Sequence, residues 1–163
     1  MRTALGVTLA LALCGPIAAH AADTSASNDV RGLVGAYQHV SSVQVIERFE
    51  NGVVATVDVM PSGQYRVATK GGGQDPALIL KIATIPADGA DYKTNYSMMR
   101  AGSKTIDGAR TNGVRVIAPD GTYDATFWLN DYHLPVSAHI ITQGHSVDVT
   151  YGNYNDSAMV AKP

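Results

Sequence analysis

A chain of 163 residues with 12 basic and 14 acidic side chains carries a formal charge of −2. Without clustered Lys or Arg it offers no nucleic-acid surface and no polybasic membrane patch, since both need concentrated positive charge. A single cysteine, Cys14, excludes a disulfide framework within the chain.

The N-terminus reads as an export signal. Arg2 supplies the positive charge, "ALGVTLALALCGPIAA" the apolar stretch, and "AHA" at 19–21 the small-residue cleavage site. Cleavage after Ala21 is expected, so that 1–21 is a signal peptide. The apolar run falls short of the roughly 20 residues that span a bilayer, and no transmembrane segment is expected in the mature chain. Cys14 follows the bulky Leu13 and precedes the cleavage site, which argues against lipid anchoring there. Removing residues 1–21 leaves 142 of the 163 residues, with 11 of the 12 basic residues against 14 acidic ones and no cysteine. A cysteine-free exported chain of this size suits a bacterial periplasm and one domain with a real core. Residues 22–28 read as a flexible leader and 29–163 as that single domain.

"DVRGLVGAYQHV" places apolar residues at 30, 33, 34, 37 and 40, the spacing of one helical face, with Asn28 or Asp29 able to cap its start. Gly32 and Gly35 each weaken the helix by up to about 1 kcal/mol relative to Ala, so it depends on docking that stripe elsewhere. "SVQVIERF" and "VVATVDVM" then flank "ENG". A two-residue Asn51-Gly52 loop scatters their apolar residues over both faces. A three-residue loop, Glu50-Asn51-Gly52, pairs Phe49 with Val53 and gathers Val43, Val45, Phe49, Val53, Ala55, Val57 and Val59 on one side. Only Glu47 is out of character there. "PSG" at 61–63 repeats the device and adds Tyr65 and Val67 to the same side.

Asp75 caps a second helix, with Pro76 at its first position and Pro86 and Gly89 marking its end. "ALILKIATI" is apolar nearly all round. It is either a helix buried against the sheet or a lid hinged on Gly71-Gly72-Gly73. Residues 90–108 contain one strand, in which Met98 and Met99 are core filler or the lining of an adaptable pocket. "GVRVIA" and "YDATFWLN" form the next hairpin. Pairing Ala118 with Tyr123 puts Val114, Val116, Ala125, Phe127 and Leu129 on one face and Trp128 on the other, where it is either covered or open to a partner. "TFWLNDYHLPVSAHI" at 126–140 reads as a bend from Asn130 to His133, with Pro135 starting the next strand. A two-residue Gln143-Gly144 loop sets Ile140 against Val147, Ala138 against Val149, Val136 against Tyr151 and His139 against Asp148. Seven or eight antiparallel strands and two helices make an α+β domain, the helices gathered on one face of a curled sheet.

Reactive chemistry finds little support. His133 and His139 on one strand would stand roughly 20 Å apart at about 3.3 Å per residue, whereas zinc ligands lie about 2 Å from their metal. Ser137, His139 and Asp148 share a region, but Ser137 and His139 are neighbours along one strand face, where a nucleophile is poorly aimed. No nucleophile elbow is present. His139 and Asp148 read as a surface cross-strand pair. No catalytic residue, metal or cofactor is expected.

The order of "TFWLN", "LPVSAHIITQGHSVDVTYGNYN" and "VAKP" resembles the closing segment of the LolA-like superfamily of bacterial envelope proteins, which includes the LppX/LprG-like lipoproteins. Trp128-Leu129-Asn130, Leu134-Pro135-Val136, Tyr154-Asn155 and Val160 with Pro163 carry the likeness over residues 105–163, with "TIDGART" at 105–111 and "YRV" at 65–67 adding to it. The resemblance implies a strongly curved antiparallel half-barrel with helices across its concave face, enclosing an apolar cavity for acyl chains. In this sequence Asn130 stands where the family has Asp, and no arginine follows Leu134-Pro135-Val136, which leaves a small or filled cavity as the alternative.

The expected function is that of a periplasmic, non-enzymatic binder or carrier of a lipophilic ligand or acylated protein. Its ligand-binding wall would be Val45, Phe49, Val57, Tyr65, Phe127, Leu129, Val136 and Ile140, with Leu78 and Ile82 from the middle helix. The alternative is a structural or interaction module of the cell envelope with a filled core, docking an envelope protein around Trp128 or on a sheet edge.

Overall fold

A three-residue loop fixes the register of the first hairpin. A computed structural model describes residues 24–60, 64–84 and 96–156. Strands β1 (Val43–Phe49) and β2 (Val54–Val59) pair antiparallel, with Val45 opposite Val57 and Glu47 opposite Ala55. The Phe49 amide donates to the Val53 carbonyl at 2.9 Å, and the Gly52 amide to the Phe49 carbonyl at 3.0 Å. Gly52 takes a φ of 84°, a left-handed conformation that a Cβ would disfavour. This is the loop the alternation requires, and it puts Val43, Val45, Phe49, Val53, Ala55 and Val57 in the core.

Strand β3 (Tyr65–Lys70) continues the meander, setting Tyr65 opposite Val59 and Val67 opposite Val57. Both therefore lie on the expected face, but they are not buried: Tyr65 is 48% and Val67 39% exposed. Tyr65, expected in the ligand-binding wall, therefore stands half-exposed at the edge of the sheet. β3 is an edge strand, and α2 packs on β1 and β2 instead.

Helix α1 (Thr24–Gln38) buries Ala26, Val30, Leu33 and Tyr37, with Val34 and Val40 partly buried against the same core. The stripe is the expected one, but the helix starts earlier. Residues 24–28, expected as a flexible leader, are helical, because wholly buried Ala26 extends the stripe by one turn. Gly32 lies beneath the His133 ring, where a Cβ would come within 2.4 Å of Cδ2. Helix α2 (Pro76–Thr84) is capped by the Asp75 carboxylate, which accepts from the Ala77 amide at 2.9 Å. The expected end of this helix at Pro86 and Gly89 lies outside the described residues. So do the signal peptide with Cys14, the turn at 61–63 and the tail at 160–163.

The remaining strands form one meander: β4 (Ser97–Ile106), β5 (Ala109–Ile117), β6 (Tyr123–Leu129), β7 (Pro135–Thr142) and β8 (His145–Gly152). The Ala118 amide donates to the Tyr123 carbonyl at 2.8 Å, closing the β5–β6 hairpin in the expected register, with Val114 opposite Phe127. Asn130 makes the next bend by itself. Its Oδ1 accepts from the amides of Tyr132 at 2.9 Å and Leu134 at 3.1 Å. Gln143 and Gly144, with φ of 52° and 77°, form a two-residue turn whose twist suits a hairpin, and Ile140 faces Val147.

Pairing of β1 with β8 joins the two meanders into one eight-stranded antiparallel sheet, in the order β3-β2-β1-β8-β7-β6-β5-β4. The sheet is curved and unclosed. β3 and β4 are its two edges, so the connection that contains α2 runs from one edge to the other. α2 covers β1 and β2 on the way, and α1 covers β4 and β5.

On the outer face Trp128 is half-buried, covered by neighbours on the sheet itself. Its ring lies across Gly113, and Lys104 Nζ sits 4.1 Å from the ring centroid. A Cβ at Gly113 would approach Trp128 Cζ3 to 2.7 Å and the Ala101 Cβ to 3.0 Å. Gly113→Ala should therefore destabilise the fold by about 1–3 kcal/mol and move the tryptophan emission toward that of an exposed indole. Urea unfolding followed by Trp128 fluorescence checks both.

Candidate functional site

The candidate site is the interior between the sheet and its two helices. Period-two alternation points Val45 and Phe49 of β1, Val57 of β2, Phe127 and Leu129 of β6 and Ile140 of β7 toward the helices, and α2 returns Leu78 and Ile82. All eight are buried in one hydrophobic cluster. Val136 is only half-buried. It stands at the start of β7, beside the register shift between Trp128 and Leu129. Val45, Val57, Ile82, Phe127 and Ile140 have no exposed surface at all.

Two features of the interior are polar. The Tyr37 hydroxyl donates to the Ala83 carbonyl at 3.1 Å, tying α1 to the last turn of α2. The same ring packs edge-on against Tyr151 of β8, with centroids 6.3 Å apart. Burial raises the Tyr37 phenol pKa, so this hydroxyl stays a donor across the accessible pH range. The helical spacing of 30, 33 and 37 was the signal for Tyr37, but its partner on α2 has none in the sequence.

Glu47 is the second feature. It follows Val45 on the inward face and has no exposed surface. Its neighbours across the sheet are Ala55 and Val149. Among the described residues neither Oε1 nor Oε2 has a hydrogen-bond partner. Desolvation pushes its pKa up from 4.5 to about 8. At neutral pH the side chain is therefore an uncharged acid with one O–H to donate.

The outer face is polar. His139 Nδ1 and Asp148 Oδ1 lie 2.8 Å apart, both largely solvent-exposed. Arg115 grips Asp124 through two nitrogens, Nε to Oδ1 at 2.8 Å, and its hydrogen bonds hold that carboxyl below the usual range. On the inner face, at the β4–β5 end beside α1, a polar cleft of about 230 Å³ is lined by Asp29, Arg100, Ser103, Arg110 and Asn112, with Arg100 Nε 3.6 Å from Asp29 Oδ2. It contains none of the expected wall residues. Among the described residues no group of three or more His, Cys, Asp or Glu could hold a metal ion. No helix there is long and apolar enough to cross a membrane.

An unclosed, curved antiparallel sheet with two helices on its inner face is the LolA/LppX–LprG-like fold. Among solved structures, the lipoprotein LppX of Mycobacterium tuberculosis superposes with a TM-score of 0.56 at 15% identity, over 83% of this chain and 97% of that one. LprF of Mycobacterium bovis gives 0.58 at 17% identity, over 83% of this chain and 95% of that one. MucB gives 0.52 at 15% identity, over 82% of this chain and 59% of that one, so this chain spans about three-fifths of MucB. No family model and no curated protein matches the chain.

The Glu47 environment sets a pH dependence. Between pH 4.5 and about 8 the folded chain keeps a proton that the unfolded chain has lost. Stability therefore falls as pH rises through this window, by up to about 1.4 kcal/mol per pH unit, and levels off above it. Glu47→Leu should flatten the profile and raise stability at pH 8, since it removes a buried group without a partner. Urea unfolding at half-unit pH steps reads both effects.

Proposed function

We propose that the protein is an exported, non-enzymatic binder of a lipophilic ligand, carrying an acyl chain or an acylated protein in the bacterial envelope. The supporting observation is architectural. Among the described residues, the central part of one face of an eight-stranded sheet is apolar apart from Glu47, and its cover is two helices, with no second sheet. The fold likeness to the lipoprotein LppX agrees with that reading and with an envelope location. The ligand-facing wall is Val45, Phe49, Val57, Phe127, Leu129 and Ile140, with Leu78 and Ile82 on the movable side.

Because Val45, Val57, Ile82, Phe127 and Ile140 have no exposed surface, a ligand that reaches them has to displace part of this cover. α2 is the part suited to move. It follows Gly71-Gly72-Gly73, of which Gly71 and Gly73 have φ of 92° and 96°, and its far end is held to α1 through the Tyr37 hydroxyl. Lifting α2 exposes Leu78, Ile79 and Ile82 together with the β1–β2 wall, an apolar surface that an acyl chain can replace.

A second reading, a protein-interaction module with a permanently filled core, is favoured by the absence of exposed surface at Val45, Val57, Ile82, Phe127 and Ile140. Lipid extracted from protein purified out of its own compartment, together with uptake of a pyrene-labelled fatty acid, separates the two. The carrier reading expects bound acyl lipid and saturable uptake. Tyr37→Phe should quicken uptake severalfold while lowering stability by about 1 kcal/mol. Folded protein that neither yields lipid nor takes up the probe would establish the second reading instead.

A further inference from the structure

Glu47 is the only carboxyl among the buried side chains of the described residues, and the carrier function as proposed does not by itself use it. An acid in such a place is a net loss to the fold, because a buried polar group without a partner costs about 1–3 kcal/mol. An aliphatic side chain would fit the same alternating face. The carboxyl sits in the middle of the wall that a ligand would meet, between Val45 and Phe49 along β1 and between Ala55 and Val149 across the sheet.

We propose that Glu47 is the specificity-determining residue of the interior, its O–H donating a hydrogen bond to the acyl carbonyl of the bound ligand. This rests on the lipophilic-carrier reading and names the chemistry that the carrier selects. A carbonyl oxygen is the matching partner on two grounds. First, the carboxyl is neutral in this environment, so what it lacks most is an acceptor for its O–H; an unfilled acceptor lone pair is the lesser penalty. Second, a cationic ligand group would have to leave water for surroundings that offer one acid among aliphatic side chains, where desolvation exceeds the attraction gained.

Among the described residues, the ionisable groups on the neighbouring elements do not supply a counter-charge. β8 brings Tyr151 to the same face and α1 brings Tyr37, whose hydroxyl is engaged with Ala83. α2 buries Leu78, Ile79, Ile82 and Ala83, while its Lys81 is exposed. β2 presents Val53, Ala55 and Val57. The acyl carbonyl can come from a free fatty acid or from an ester, and the two sources are told apart in the test.

Three pyrene probes of equal chain length measure the effect on full-length mature protein at pH 6.5: an alkylpyrene, the corresponding fatty acid and its methyl ester. The wild type should hold a carbonyl-bearing probe about tenfold more tightly than the alkylpyrene, the gain of one satisfied buried hydrogen bond. Preference for ester over acid, or the reverse, identifies the source. Glu47→Gln, which keeps a donor, should keep the preference. Glu47→Leu should bind all three within about threefold of one another while folding at least as stably. For the wild type, the preference should fade as pH rises past about 8, where the O–H is lost, whereas for Glu47→Gln it should not. Equal binding of all three probes by the wild type would overturn the role of Glu47 and leave the carrier reading standing. Binding of none would overturn both.

Discussion

A sheet with one apolar face and no second sheet opposite it has to bury that face on something, and everything else in this protein follows from how that is done. The strand order forces the solution. β3 and β4 follow one another in sequence yet lie at opposite edges, so the chain between them has to traverse the sheet. α2 is the described part of that connection, and its Leu78, Ile79 and Ile82 become the cover of β1 and β2. The stripe of α1, from Ala26 to Tyr37, covers β4 and β5. Neither helix could hold its shape unaided, since short helices gain most of their stability from packing an apolar face.

The same constraint separates the two faces chemically. The inner face is largely aliphatic and aromatic, turning polar at the β4–β5 end where Arg100 meets Asp29 of α1, and the outer one carries polar pairs: Arg115 with Asp124, His139 with Asp148, Gln44 with Asp58. Such exposed pairs contribute little stability, but they keep the outer surface soluble. Glu47 breaks the division. Placing a carboxyl among Val45, Phe49, Ala55 and Val149 costs stability, and a feature that opposes folding is the expected mark of a group retained for binding. The Tyr37–Ala83 hydrogen bond is its counterpart in the cover, a single polar contact that keeps α2 seated.

Much of this was legible in the residues. The glycine of "ENG" together with face alternation decided between two loops, and Gly52 and the Phe49–Val53 pair confirm the choice. The Asn130 bend, the Gln143-Gly144 turn and the Asp75 cap were likewise written locally, because each rests on a side chain bonding its own backbone or on a φ above zero. What alternation could not decide was exposure. Tyr65 and Val67 lie on the inner face in register with Val59 and Val57, yet β3 is an edge, and burial there depends on what the fold lays over it. Trp128 posed the same difficulty from the other side: its cover is Gly113 and Lys104, residues 15 and 24 positions away in sequence, visible only once β4, β5 and β6 stand side by side.

The sequence by itself determined the β1–β2, β5–β6 and β7–β8 hairpins with their registers, the helical stripe of α1 and the capped start of α2, because turn chemistry and periodicity act within a few residues. Tertiary structure alone decided that β1 lies beside β8, that the helices divide the sheet between them, that Val45, Val57, Phe127 and Ile140 are wholly covered and that Glu47 has no hydrogen-bond partner among the described residues. Those outcomes depend on which distant surfaces meet. A residue's own neighbours carry no record of that, since burial is a property of the assembled faces and not of the strand that bears them.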